Sequence, residues 1–207
     1  MGFTTKKISL IALMSALTAV LTLAAIPLPG GGYYNFGDAV VFVSAATLGP
    51  VSGAFVGGQG GALGDLVLGY TFYAPFTLVI KAAEALVAGL VFRALKRLFR
   101  DKGGRAAKCA FCALAGIAGG LVMAAGYFLA EGLLLSEGGW QGGLVNLPWN
   151  ILQGVASAFV AAVVAVPFRT DLLISRVLLP RDKRGKDEDG EKSDGEKGGD
   201  GDESAIN

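Results

Sequence analysis

The sequence predicts an all-α fold, a polytopic membrane protein with six transmembrane helices, and three observations predict it. The 207 residues are 53% hydrophobic, with a mean hydropathy of +0.55. Glycine contributes 32 of them, a density that weakens helices in water but suits bilayer helices packed backbone against backbone. The third observation is the distribution of charge. Between Ile8 and Phe168 the chain runs as apolar stretches joined by short connections. Lys and Arg occur before the first stretch (Lys6, Lys7), between the fourth and fifth (Arg93 to Lys108) and after the last (from Arg169), with Lys81 the one exception. Basic residues near helix ends stay on the cytoplasmic side, so an even number of spans with both termini inside follows.

The net charge of +1 conceals this asymmetry, because more than half of the 17 acids lie beyond Arg181 and offset the basic rim. A nucleic-acid partner is not implied: the basic residues flank the membrane and have no aromatic residues interleaved. The chain has no histidine, which removes His-based catalysis and His metal ligation. Cys109 and Cys112 form a lone CxxC with no second pair to complete a zinc site, and read as helix packing. No cofactor, metal or disulfide is expected.

The first span, Ile8 to Ile26, covers ~28 Å at 1.5 Å per residue, enough to cross. It is read as a retained helix, not a secretory signal, because nothing after it resembles an exported soluble domain. Pro27, Pro29 and Gly30 to Gly32 then break the helix and open an outer loop that continues through Tyr33, Tyr34, Asn35 and Phe36. Asp38 is placed to cap a second stretch that ends by Leu48, too short for an upright span. The third, Val51 to Leu68, carries Gly53, Gly57 and Gly61, and also Gly60 and Gly64, at four-residue spacing for close helix approach. Its Gly58-Gln59-Gly60-Gly61 run lacks the Lys-Ser/Thr of a phosphate loop. The fourth runs from Ala74 to Leu95, with Pro75 in its first turn. The fifth spans Cys109 to Ala130, an outer loop covers Glu131 to Leu147, and the sixth runs from Pro148 to Pro167. The domain reading is a membrane body over 1–180 and a charged tail over 181–207. The tail is too polar to bury a core and is expected to be disordered.

Charged groups inside a bilayer cost on the order of 2.5–3.5 kcal/mol each by insertion scales, so Asp65, Lys81, Glu84 and Glu131 are candidates for function. Lys81 and Glu84 stand three apart on one helix face. Either they neutralise each other, with Asp65 as a second partner, or they meet a polar solute. Asn150 and Gln153 repeat that spacing beside Trp149, and amides suit a heterocycle bearing hydroxyls and ring nitrogens. Tyr33, Tyr34, Tyr70, Tyr73, Trp140 and Trp149 all fall on the outer side. They serve as an interface belt or as the walls of an aromatic pocket open to the outside.

The segment GGALGDLVLGYTFYAPFTLVIKAAEALVAGLVFRALKR, Gly60 to Arg97, resembles the core of the S components of energy-coupling factor (ECF) transporters. NLPWNILQG, Asn146 to Gly154, resembles the entry to their final helix, and Ala12 and Ala16 resemble their small-residue docking face. The resemblance implies the six-helix S-component fold in a prokaryotic cell membrane. It also implies capture of a small water-soluble vitamin from outside, by a subunit that works with a transmembrane coupling subunit and two ATPase subunits. Carried over by position, it favours Asn35, Glu84, Trp140, Trp149, Asn150 and Gln153 as ligand contacts, then Lys81 and Tyr73, with the loop after the first span closing over the site. The chain has no Walker motif, so it is not expected to be an enzyme, and any ATP hydrolysis falls to partners. The implied substrates are pyridoxine or hydroxymethylpyrimidine types, ahead of riboflavin or thiamine. A structural or assembly subunit, or a membrane-embedded enzyme acting on lipid through Asp65, Glu84 or Glu131, are the competing readings.

Overall fold

The computed structural model describes residues 4–28, 32–99, 104–135 and 139–165. The expected tail, 181–207, lies outside them, as do residues 29–31 of the expected outer loop. Six α-helices run through the described residues: α1 (Thr5–Thr22), α2 (Gly37–Thr47), α3 (Pro50–Leu68), α4 (Ala74–Leu98), α5 (Arg105–Ala130) and α6 (Gly139–Ala165). Two residues from each side of the first loop pair as an antiparallel ribbon, β1 (Ile26–Pro27) with β2 (Tyr33–Tyr34). By length and composition, α1, α5 with the turn that follows it, and α6 can each cross a membrane.

The short α2 is central. Val41, Phe42 and Ala45 pack with Ala85 and Ala88 of α4, Cys112 of α5, and Ala158, Ala161 and Ala162 of α6. A helix of 11 residues cannot span an upright bilayer, but it fills the bundle interior, and Val41 is fully buried. The bundle's outer surface carries Leu13, Val20, Val67, Val79, Leu90 and Phe159, all exposed. Such a girdle would promote aggregation in water and suits hydrocarbon.

Glycine spacing explains how the other helices reach α3. A Cβ on Gly53 would fall 2.7 Å from the Ala45 Cα in α2, and one on Gly57 2.7 Å from the Lys81 carbonyl in α4. On the third face, a Cβ on Gly60 would lie 2.6 Å from Thr18 of α1. The overlapping small-residue pairs therefore serve three neighbours at once, as close helix packing requires. The turn between α2 and α3 and the C-cap of α3 use glycine for a different reason: Gly49 and Gly69 have φ of 93° and 85°, a region that side chains disfavour.

Boundaries differ from the expectation: α1 ends at Thr22 and Ile26, expected in the first span, lies in β1, while the start of the last helix shifts most. Glu131 to Leu147 was read as loop, yet a π-helical turn covers Glu131–Leu135 and α6 begins at Gly139, with Pro148 inside it. Tertiary packing overrides the local signals here. Gly143 sits against the Phe128 carbonyl, and Gly120 and Gly154 meet backbone to backbone, a Cβ on Gly120 falling 2.7 Å from the Gly154 Cα. Membrane helices tolerate an internal proline when neighbouring helices support the freed backbone groups.

Candidate functional site

The polar residues form stripes at helical spacing. Thr77, Lys81 and Glu84 lie along α4, Met123 and Tyr127 along α5, and Asn146, Asn150, Gln153 and Ser157 along α6. All but Tyr127 are buried. Facing inward, the stripes converge on two connected centres.

The deeper centre is a charge cluster. Lys81 Nζ donates to Asp38 Oδ1 of α2 and lies 3.2 Å from Glu84 Oε2, an ion pair without hydrogen-bond alignment. It also contacts Met123 Sδ at 2.9 Å and stands 5.7 Å from the centre of the Tyr127 ring. Gln153 Nε2 donates to the other Asp38 oxygen at 2.7 Å. The expected Lys81–Glu84 pair is present, but its second partner is Asp38 and not Asp65. Asp38 was read as a helix cap, and its side chain makes no capping bond because it is taken up by the cluster. One lysine thus faces two carboxylates with almost no solvent, so the cluster is held by its partners.

The outer centre is a cavity. Leu28, Gly32, Tyr33 and Asn35 close it from the loop side. Asp65 of α3, Thr77 of α4, Tyr127 and Glu131 at the end of α5, and Asn150 and Gln153 of α6 form its floor and walls, with Tyr73 at the start of α4. Gln153 joins the two centres, since its Oε1 accepts the Asn35 backbone N–H at 2.9 Å. The Asn35 side chain is turned back to accept the Gly37 N–H at 2.9 Å, which starts α2. The Tyr33 phenol donates to Asp65 Oδ1, and its ring packs on Tyr70 at 5.0 Å between centres. Burial, then the Asp65 carboxylate, pushes the Tyr33 phenol pKa up, so Tyr33 is a donor at any physiological pH. Tyr73 is likewise raised to about 12, by burial first and then by Glu131. Thr77 and Tyr127 hydroxyls pair at 2.9 Å.

Three buried polar atoms of this lining have no hydrogen-bond partner among the described residues: Asp65 Oδ2, Glu131 Oε2 and Asn150 Nδ2. Buried polar groups are nearly always paired, so three such atoms around one cavity set it apart from the packed bundle around it. The open space is small, about 20 Å³ for the centres of water-sized spheres, enough for a water molecule or so. A heterocycle enters only when the loop side chains move, because the other walls are fixed on helices.

Of the residues singled out from sequence, Tyr33, Asn35, Asp65, Tyr73, Glu131, Asn150 and Gln153 reach the cavity. Lys81 and Glu84 lie behind it, engaged in the charge cluster. Trp140 and Trp149 do not reach it: they are 47% and 45% exposed on α6, Trp140 packing on Phe128 at 5.4 Å. Ala12 and Ala16 are exposed on α1, and Ala12 edges an apolar groove with Ile8, Ile11, Phe55 and Gln59. Thr77 and Tyr127 were missed, although Thr77 stands four residues before Lys81 on the same helix face and could have been found from that spacing.

Residues 2–170 match the model of the family described as ECF-type riboflavin transporter, S component. A protein of Lactococcus lactis subsp. cremoris named thiamine precursor transporter HmpT is 32% identical over 174 residues, covering 81% of this chain and 91% of that protein. A Pyrococcus woesei protein, known only as an uncharacterized protein in the gap 3' region, is 34% identical over 146 residues, covering 70% of this chain and 88% of its own. A six-helix membrane bundle with an inward-facing polar cavity, matched over nearly its whole length, belongs to the S-component family of ECF-type transporters, whose members are substrate-binding subunits and not enzymes.

Proposed function

We propose that this chain captures a small, donor-bearing, single-ring vitamin precursor of the hydroxymethylpyrimidine or pyridoxine type from outside a prokaryotic cell. The observation that carries this reading is the cavity with three buried, unpartnered polar atoms, two of them carboxylate oxygens. Two of those three atoms are acceptors, and the nearby cation, Lys81, is already shared by Asp38 and Glu84. Such a site favours hydroxyl and amino donors or a cationic ring over an anionic, phosphorylated one. The small closed volume favours one ring over the three fused rings of riboflavin, because fewer side chains must retreat. The relative named as a thiamine precursor transporter supports the same class.

In this reading Asn35, Tyr73, Asn150 and Gln153 contact the ligand, while Lys81 and Glu84 hold the wall behind it. Trp140 and Trp149 anchor the outer interface. Energy comes from a transmembrane coupling subunit and two ATPase subunits, docked on the small-residue face of Ala12 and Ala16. Both termini lie in the cytoplasm, as the basic rim requires, and residues 181–207 follow the 1–180 membrane body as a tail. A thermal-shift screen of the purified full chain against B vitamins, their precursors and their phosphorylated forms tests it. Binding to the native state stabilises by RT ln(1 + [L]/Kd), ~4 kcal/mol at a thousandfold excess. A large shift with a hydroxylated or aminated single ring is expected. A larger shift with a phosphorylated ring than with its alcohol would overturn the assignment.

A further inference from the structure

We propose that Asp65 is the acceptor that reads an amino or hydroxyl donor on the captured ring, and that the Tyr33 phenol competes with that ring for it. The assignment rests on the capture reading above and gives it a selectivity determinant. Asp65 is 1% exposed. One oxygen accepts from Tyr33, and the other has no hydrogen-bond partner among the described residues. A buried carboxylate so placed, at the wall of a cavity too small for any ring, can gain a donor on loading.

The occupant of its first oxygen has a guest's properties. Tyr33 is a planar ring ending in a donor, and it is carried by β2, two residues of a ribbon paired only with Ile26 and Pro27. Its ring packs against Tyr70, tilted by 52° with 5.0 Å between centres, so an aromatic surface is on hand for an incoming ring. Of the other polar groups around the cavity, Asn35 is held by Gln153 and by its own bond to Gly37, and the rest sit on α3 to α6 or at their ends. Loading therefore exchanges the Tyr33 donor for a donor of the ring at a fixed carboxylate, whose second oxygen is open to a further donor. The exchange also selects. A ring without a donor at that position leaves Asp65 unpaired and is rejected, because a buried acceptor without its partner costs far more than a lost contact in water.

The test is titration of the detergent-solubilised full chain with two probes, an aminopyrimidine carrying a hydroxymethyl group and the same ring without its amino group. Wild type is expected to prefer the amino form by about tenfold or more. Asp65→Asn should lose that preference. Tyr33→Phe, which removes the competing donor and keeps the ring, should bind the amino form about three- to tenfold more tightly and keep the preference. Wild type binding both rings equally, Asp65→Asn discriminating like wild type, or Tyr33→Phe weakening the amino form would each overturn the assignment and leave the capture reading standing. If neither wild type nor Tyr33→Phe binds either ring, this assignment falls, and if pyridoxine also fails to bind, the capture reading falls with it. Should Asp65→Asn fail to fold, the Tyr33→Phe arm decides alone.

Discussion

Replacing Lys81 by Met should destabilise the bundle far more than replacing Glu84 by Gln, although both changes break the same ion pair. Lys81 is the single cation between Asp38 and Glu84, and all three side chains are almost solvent-free. Removing it leaves two buried carboxylates without a counter-charge, and breaking a buried pair in this way costs ~3–5 kcal/mol. Removing the Glu84 charge leaves Lys81 with Asp38, a one-to-one pair that Gln153 braces through Asp38 Oδ2. The Lys81–Glu84 attraction at 3.2 Å is roughly 5 kcal/mol at an effective dielectric of about 20. Desolvation of a second buried carboxylate offsets most of that, so Glu84→Gln should cost less than about 1 kcal/mol. At about 2–4 °C per kcal/mol for a chain of this size, thermal unfolding in detergent should show a drop of roughly 6–20 °C for Lys81→Met and under about 4 °C for Glu84→Gln. Equal drops, or a larger one for Glu84→Gln, would refute the counting of charges on which the argument depends.

Gly120→Val should destabilise by about 1–3 kcal/mol through overpacking, since the new Cβ meets the Gly154 backbone and not a movable side chain; thermal unfolding reads this directly. Asn150→Ala should weaken ligand binding about five- to tenfold while leaving the melting temperature within a few degrees, because Nδ2 has no hydrogen-bond partner to lose among the described residues; calorimetric titration beside a melting curve separates the two effects. Trp149→Phe, altering a side chain that faces away from the cavity, should leave ligand affinity within about twofold in the same titration.

The order of the helices was legible because each hydrophobic stretch carries its own boundary signals: Pro50 and Pro75 at starts, Gly49 and Gly69 at ends, and the basic rim. The start of α6 was not. Gly139, Gly142, Gly143 and Pro148 speak locally for a loop, and only contact with α5 makes that stretch helical. The same limit explains the misreading of Asp38. A carboxylate two residues after Phe36 at a helix start reads as a cap, whereas its true partner lies 43 residues away on α4. Asp65 was singled out as a costly charge, but its partner Tyr33 sits on the loop, 32 residues earlier, where no periodicity connects the two. Asn150 and Gln153 were found because they share one face of one helix. Trp140 and Trp149, which do not line the cavity, show the converse limit. A tryptophan near the membrane surface serves an interface belt or a pocket wall, and its composition and position are the same in both.

The most direct measurement is isothermal titration of the purified chain, alone in detergent and without any ATPase subunit, with the hydroxymethyl aminopyrimidine. The account predicts saturable binding of one ring per chain, lost on loading with excess unlabelled competitor of the same class and weakened in Asn150→Ala. Absence of saturable heat with that ring and with pyridoxine, from a sample that unfolds cooperatively, would contradict the claim that this cavity captures a donor-bearing single ring.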